Sequence, residues 1–294
     1  MKIQYETSVV DAKKTWFPDR SSHPREPGAI LISRRRCAMT NIVSQNRLSV
    51  HKQHEVLLKL EAAGLTDTLA QKLVDSRDND LGTRVVRFIE NGGIEPSVSQ
   101  KMARSIMGKN FFGIEEAVKH FGVNPTRAQL VLLAEIPFTK AELKGKKDTH
   151  ILVAVFPLSI IDVRGKMTAE VFYNQGWYNN QDFAKNRGDV GWYLIKKTPV
   201  DNSTNKTYQE QQALLSDKDE TPTAQVMVYT IVGHYLNTNE RLLENGYVRC
   251  SDLASDGYRV YVGIFDADGL DVDNWDDGYR YSNIGLASAR KSNN

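Results

Sequence analysis

Two stretches carry residue types that could hold a metal: His51 and His54 in "HKQH", and the aspartate-rich run "DADGLDVDNWDD" from Asp266. The histidines lie on an amphipathic helical pattern and read as solvated side chains, because two imidazoles alone leave a metal half-coordinated. The acidic run departs from the helix-loop-helix calcium template. Leu270 or Trp275 falls where an oxygen ligand is required, and the glycine is misplaced. What stays open is an irregular calcium loop drawing on Asp266, Asp268, Asp271 or Asp273, against a plain solvated acidic loop. No other cofactor is expected. Nucleophilic chemistry has less to build on. Cys250 in "VRCSD" lacks a matching His/Asn context and reads as a buried thiol. Cys37 and Cys250 are too few for a disulfide framework or a tetrathiolate zinc site, and read as reduced thiols. His120 and His234 sit within apolar helical patterns as structural residues. The sequence holds no HExxH, GxSxG, CxxC or phosphate-cradling glycine loop. Carboxylate pairs abound, but nothing local would raise the pKa of just one member.

The elements that must position these residues fall into three stretches. Residues 1–45 carry "SRRRC" and prolines with little periodicity, which suggests a disordered leader, with Met39 as an alternative start. Residues 46–146 have a helical pattern. Successive segments begin at "HKQHEVLLKLEAAGL", "TDTLAQKLVDSR" behind the cap Thr66, "LGTRVVRFIENGG", "PSVSQKMARSIMG", "GIEEAVKHFGV" and "TRAQLVLLAEI". Residues 147–294 form a mixed domain. "THILVAVFPLSIIDVR" predicts strands on both sides of Pro157, and "GWYLIKKTPV" predicts another. "TPTAQVMVYTIVGHYLNTNERLLENG" predicts a helix with Val228, Ile231, Val232, Tyr235 and Leu236 as its apolar stripe, ending at Asn245-Gly246. "YRVYVGIF" alternates, and "NIGLASAR" predicts one last short strand. The fold class expected is α+β, a helical domain followed by a mixed one.

Composition is ordinary for a globular chain, 40% apolar and 25% charged over 294 residues, so a real core is expected. A net charge of +2 offers no global attraction to nucleic acid, and no direct nucleic-acid binding is expected. No run approaches the ~20 apolar residues of a membrane span. "MKIQYETSVVDAKKTWFPDR" lacks the apolar middle of a secretion signal, so the expected location is cytoplasmic, with surface display through a partner left open.

The closing stretch "NWDDGYRYSNIGLASAR" resembles the final motif of C-type-lectin-like domains of the formylglycine-generating-enzyme type. Asn274, Trp275, Arg280, Asn283, Gly285 and Arg290 match its order. Within that superfamily the chain is similar to the variable proteins of diversity-generating retroelements, whose C-terminal codons are rewritten at template adenines. Half the residues between Asp256 and Asn283 are Asp, Tyr, Asn or Ser, which adenine-rich codons reach, and no Lys occurs from Asp219 to Arg290. The "GGSW" strand of the enzymes is replaced by "VRCSDLASDGYRV", and their paired catalytic cysteines have no counterpart near Cys250, so no catalysis is expected.

The resemblance implies a ligand-binding protein that displays a diversified surface to a protein or other macromolecular partner. Val260, Val262, Ile284 and Leu286 are expected in the frame, and Arg280 and Asn283 as loop braces. Tyr258, Tyr261, Ile264, Asp271, Asp273, Asn274, Tyr279, Tyr281 and Ser282 are expected on display, with Asp266, Asp268 and Trp275 either displayed or structural. Rigid aromatics beside adaptable Asp, Asn and Ser suit such a surface. Two alternatives stand beside this reading: an enzyme on the same scaffold or with a metal-dependent acidic loop, and an interaction protein of unrelated mixed fold.

Overall fold

The computed structural model describes residues 48–76, 81–90, 93 and 95–292; the expected leader and Met39 lie outside them. The chain divides into two compact units, Met1–Leu65 and Thr66–Asn294. In the first, α1 (Val50–Ala62) starts at Ser49, whose hydroxyl accepts from the Lys52 amide, and ends before Gly64 in a left-handed conformation. None of its residues is buried.

The second unit runs α2 (Asp67–Val74), α3 (Leu81–Glu90), α4 (Val98–Met107), β1 (Phe111–Phe112), α5 (Ile114–Phe121), α6 (Arg127–Leu132) and α7 (Lys140–Lys146). It continues with β2 (His150–Val155), α8 (Ile160–Gly165), α9 (Asp182–Lys185), β3 (Gly191–Lys196), α10 (Tyr208–Gln212), β4 (Asp219–Glu220) and α11 (Ala224–Thr238). The end is β5 (Tyr247–Leu253), β6 (Arg259–Asp266), β7 (Gly269–Trp275), β8 (Ile284–Leu286) and β9 (Ala289–Arg290). The fold is α+β. Local chemistry sets many boundaries: reciprocal capping boxes open α4 (Ser97/Gln100), α6 (Thr126/Gln129), α7 (Thr139/Glu142), α8 (Ser159/Asp162) and α10 (Thr207/Glu210). Among the described residues no helix is long and apolar enough to cross a membrane.

The strands form two mixed sheets, β1-β2-β3-β9-β4 and β7-β6-β5-β8. α11 lies between them, packed on β2 of the first and on β5 and β6 of the second. Every residue from Ala224 to His234 is buried. Burial therefore extends beyond the expected stripe to the whole circumference, and takes in the polar Gln225, Thr230 and His234. The helix also stops earlier than expected, at Asn239, which takes the left-handed conformation and donates its amide to the Tyr235 carbonyl.

Three other expectations are corrected. The run after Pro157 is helix α8, because the Ser159/Asp162 box nucleates a turn there. The tail "NIGLASAR" is not one strand. β8 pairs in parallel with β5, while β9 crosses to the other sheet and pairs with β3 and β4. The line between residues 146 and 147 separates helical from mixed sequence but not two cores, since one buried cluster runs from Ala103 to Ala289. Within it, β1 joins the first sheet beside β2, so the expected helical domain donates a strand.

Gly263 is where backbones meet most closely. A Cβ there would lie 2.1 Å from the Gly246 carbonyl oxygen and 2.7 Å from the Tyr247 Cα, main-chain atoms with no room to yield. Gly263→Ala is therefore expected to destabilise the second unit by roughly 3 kcal/mol, read as a lowered urea midpoint; an unchanged midpoint would refute this account of the β5–β6 approach.

Candidate ligand-binding face

Side chains alternate between the two faces of β5, β6 and β7, and laterally paired residues share a face. Val248, Val260, Val262, Leu270 and Val272 point into the core. The opposite face carries two rows: Tyr247, Gly263 and Asp271, then Arg249, Tyr261 and Asp273. Ile284 and Leu286 continue the rows on β8, so the frame residues divide between the two faces.

Gly263 leaves a gap in the first row, and the Tyr247 hydroxyl crosses it to donate to Asp271 Oδ2 at 2.6 Å. In the second row the Tyr261 hydroxyl donates to Asp273 Oδ2 at 3.1 Å. The two rings meet edge-on, 4.8 Å between centroids. Gln175 donates to the other Asp271 oxygen at 2.7 Å, from a segment that borders β7. Burial first, then the adjacent carboxylates, push both phenols above the ordinary tyrosine range.

Arg249 has no solvent-exposed surface. Its guanidinium donates to the carbonyls of Lys206 at 3.1 Å and Tyr279 at 2.8 Å, reaches the Asp276 carbonyl at 3.5 Å, and donates to Gln211 Oε1 at 3.2 Å. Burial draws its pKa down, with Asp277 opposing. The loop from Asp276 to Asn283 is held through further carbonyls as well. Asp277 accepts from the Tyr208 amide at 2.9 Å, Tyr281 from Asn205 at 2.7 Å, and Asn283 from Tyr247 at 2.8 Å. Side-chain anchors are fewer: Arg259 grips Asp277 bidentately and lies over the Tyr208 ring, and Arg280 pairs with Glu210 at 2.7 Å. Arg280 thus reaches outside the loop through its side chain, whereas Asn283 does so through its carbonyl. Arg290 closes the tail onto Glu142 and Asp219.

The expected display residues divide. Tyr258, Trp275 and Tyr279 are 43%, 45% and 58% exposed, and Asp268 and Ser282 are open to solvent. Ile264, which sits at a bulge with φ +38°, is half-buried, as are Asp266, Asp271, Asp273, Asn274 and Tyr281. Tyr261 is only 7% exposed and is corrected to a frame residue, because the Asp273 hydrogen bond and the Tyr247 ring enclose it. Trp275, Tyr279 and Tyr281 form one cluster with centroids 6.0–6.3 Å apart. Tyr247, Arg249 and Gln175 escaped the sequence reading. The alternation in "GYVRC", polar-apolar-polar, is the signal that marks the first two.

The other candidates have surroundings of their own. His51 is exposed beside Glu55, His234 is buried near Glu240, and the Cys250 thiol is fully buried, donates weakly to the Val248 carbonyl, and is pushed up by burial. Among the described residues no three His, Cys, Asp or Glu are grouped to hold a metal ion, the aspartates of the acidic run included.

No family model, curated protein or solved structure matches this chain.

Two outcomes are expected. Arg249→Met, which keeps length but removes the donors, should cost roughly 2–4 kcal/mol and speed hydrogen exchange of the Asp277–Asn283 amides; exchange unchanged in that loop would count against the brace. For the tyrosines, the folded state holds its protons more tightly than the unfolded chain, which ionises near pH 10. Their stabilisation is complete below that pH and falls as pH rises past it. The double variant Tyr247→Phe/Tyr261→Phe should show a shallower alkaline loss of stability than the parent, and coincident alkaline limbs would refute the pairing.

Proposed function

We propose that this chain is a non-catalytic ligand-binding protein that presents an exchangeable set of contact residues on its last strands and loops, in the manner of retroelement variable proteins. The observation that carries this reading is how the loop from Asp276 to Asn283 is anchored. Its carbonyls at positions 277, 279, 281 and 283 are bound by groups outside the loop. A main-chain anchor is indifferent to the side chain it belongs to, so side chains there can change while the path of the loop persists. Tyr258, Trp275 and Tyr279 then supply stiff, solvent-facing contact area at small entropic cost. The frame beneath comprises Arg249, Tyr261, Val260, Val262, Ile284 and Leu286.

The lectin-like and retroelement parts of the proposal rest on the tail itself: Asn274, Trp275, Arg280, Asn283, Gly285 and Arg290 in that order, with the Asp/Tyr/Asn-rich composition before them. Gly285 supports a fixed role, since a Cβ there would lie 2.5 Å from the Pro199 Cβ and 2.6 Å from the Ser203 hydroxyl. The bound partner is a protein or other macromolecule, because the exposed aromatics lie on an open surface.

The neighbouring DNA tests the reading. It should encode a reverse transcriptase and contain a near-copy of the codons for Tyr258–Arg290 that differs chiefly at adenines; a locus with neither would end the retroelement proposal. At the bench, Tyr258→Ser/Trp275→Ser/Tyr279→Ser together should change stability by no more than about 1 kcal/mol. A large drop in melting temperature would show these rings to be part of the core.

A further inference from the structure

We propose that the partner of this face is a protein surface presenting arginine or lysine side chains. The inference rests on the binding-face reading above and adds the chemistry of what is bound.

Charge is concentrated here to a degree that the whole chain, at +2, does not reveal. From Asp256 to Tyr279 there are seven aspartates and one cationic side chain, Arg259, with Arg249 fully buried in the row beside Tyr261. Arg259 is committed to Asp277, and the next cation along, Arg280, is committed to Glu210. Among the described residues no Lys or Arg forms an ion pair with Asp256, Asp266, Asp268, Asp271, Asp273 or Asp276. Their hydrogen bonds come from neutral donors: the Tyr247 and Tyr261 hydroxyls, the Gln175 and Asn274 amides, and main-chain N–H groups. Such bonds orient a carboxylate without cancelling its charge, so the field over the face stays negative.

Aromatic rings stand at the end of this row. Trp275 follows Asp271 and Asp273 on the same face of β7, next to Asp276, and packs against Tyr279 and Tyr281. Exposed rings beside unpaired carboxylates are a receptor for guanidinium or ammonium groups, which gain from the ring face and the carboxylate together. The molecule contains a filled example of this arrangement. Arg259 lies 3.9 Å over the Tyr208 ring with Asp277 at 2.9 Å. Beside Trp275 the exposed Asp276 forms no ion pair among the described residues, because Arg259, the lateral partner of Trp275 on β6, is taken up by Asp277 and the Tyr208 ring. The acidic groups are spread from the 266–269 turn to the far end of β7, which suits a surface offering several cations rather than one metal ion. Polyanions are repelled.

The test is to pan a random dodecapeptide display library at physiological salt on the immobilised full chain. A parallel arm uses the Trp275→Ala/Tyr279→Ala variant, first checked for an unchanged melting temperature. The expected result is peptides enriched in Arg or Lys with at least one aromatic residue, retained by the parent and lost on the variant. Replacing the arginines of a leading peptide with citrulline should weaken binding about tenfold or more, and Asp256→Asn/Asp276→Asn should weaken it in the same direction. Face-dependent peptides without basic enrichment, equal affinity of the citrulline peptide, or binding abolished by EDTA would overturn the cationic inference and leave the binding face standing. Absence of any enrichment that depends on Trp275 and Tyr279 would overturn both.

Discussion

The C-terminal half depends on one buried guanidinium. Burying Arg249 costs several kcal/mol of lost hydration, and an unpaired charge there would not be tolerated. The offset comes mainly from carbonyl oxygens, whose dipoles converge on Arg249 from the segment before α10 and from the loop after β7. A planar group with five donors is the side chain that can tie two separate backbone segments to one strand, and lysine would not reproduce that fork. Because its partners are mostly main-chain atoms, the brace fixes where the loop runs without itself gripping the loop's side chains, of which Asp277 and Arg280 are held separately by Arg259 and Glu210.

The Tyr–Asp pairs obey the same logic on the neighbouring positions. Gly263 keeps one lattice point of the sheet empty, Tyr247 reaches across it, and the carboxylates of β7 become fixed acceptors. That arrangement stiffens the face and holds negative charge at its surface. It also explains why Tyr261 belongs with the frame: a ring enclosed by Tyr247 with its hydroxyl on Asp273 cannot be exchanged without unsatisfying its neighbours. The exposed rings are found one step further out, at Trp275, Tyr279 and Tyr258.

Behind the face, α11 joins the two sheets. Buried on every side, it couples β2 to β5 and β6, and its start is fixed from the second sheet, where Asp252 accepts the Ala224 amide at 2.6 Å. β9 closes the same circuit in the other direction by carrying the chain end from one sheet into the other. Strands β5, β6 and β7 are thus tied to the helical segment 98–146 by one continuous core.

Much of this was legible in the order of residues. The cap at Thr66, the stops at Gly64 and Gly122, and the runs of β2, β3 and β6 all follow from short-range stereochemistry and from periods of 3.6 or 2, which a sequence carries directly. The box at Ser159/Asp162 was equally local, and it outweighed the β-rich composition around it. Other facts had no local signature. Whether "NIGLASAR" forms one strand or two depends on which edges lie beside it, and whether 146/147 divides two cores depends on where α4, α5 and α7 pack. Tyr258 and Tyr261 are the same residue three positions apart, and one is exposed while the other is buried because only one has Tyr247 and Asp273 beside it. Lateral neighbours in a sheet come from distant sequence, so composition could announce a surface rich in contact groups, and only the assembled sheet could divide those that hold it together from those left facing water.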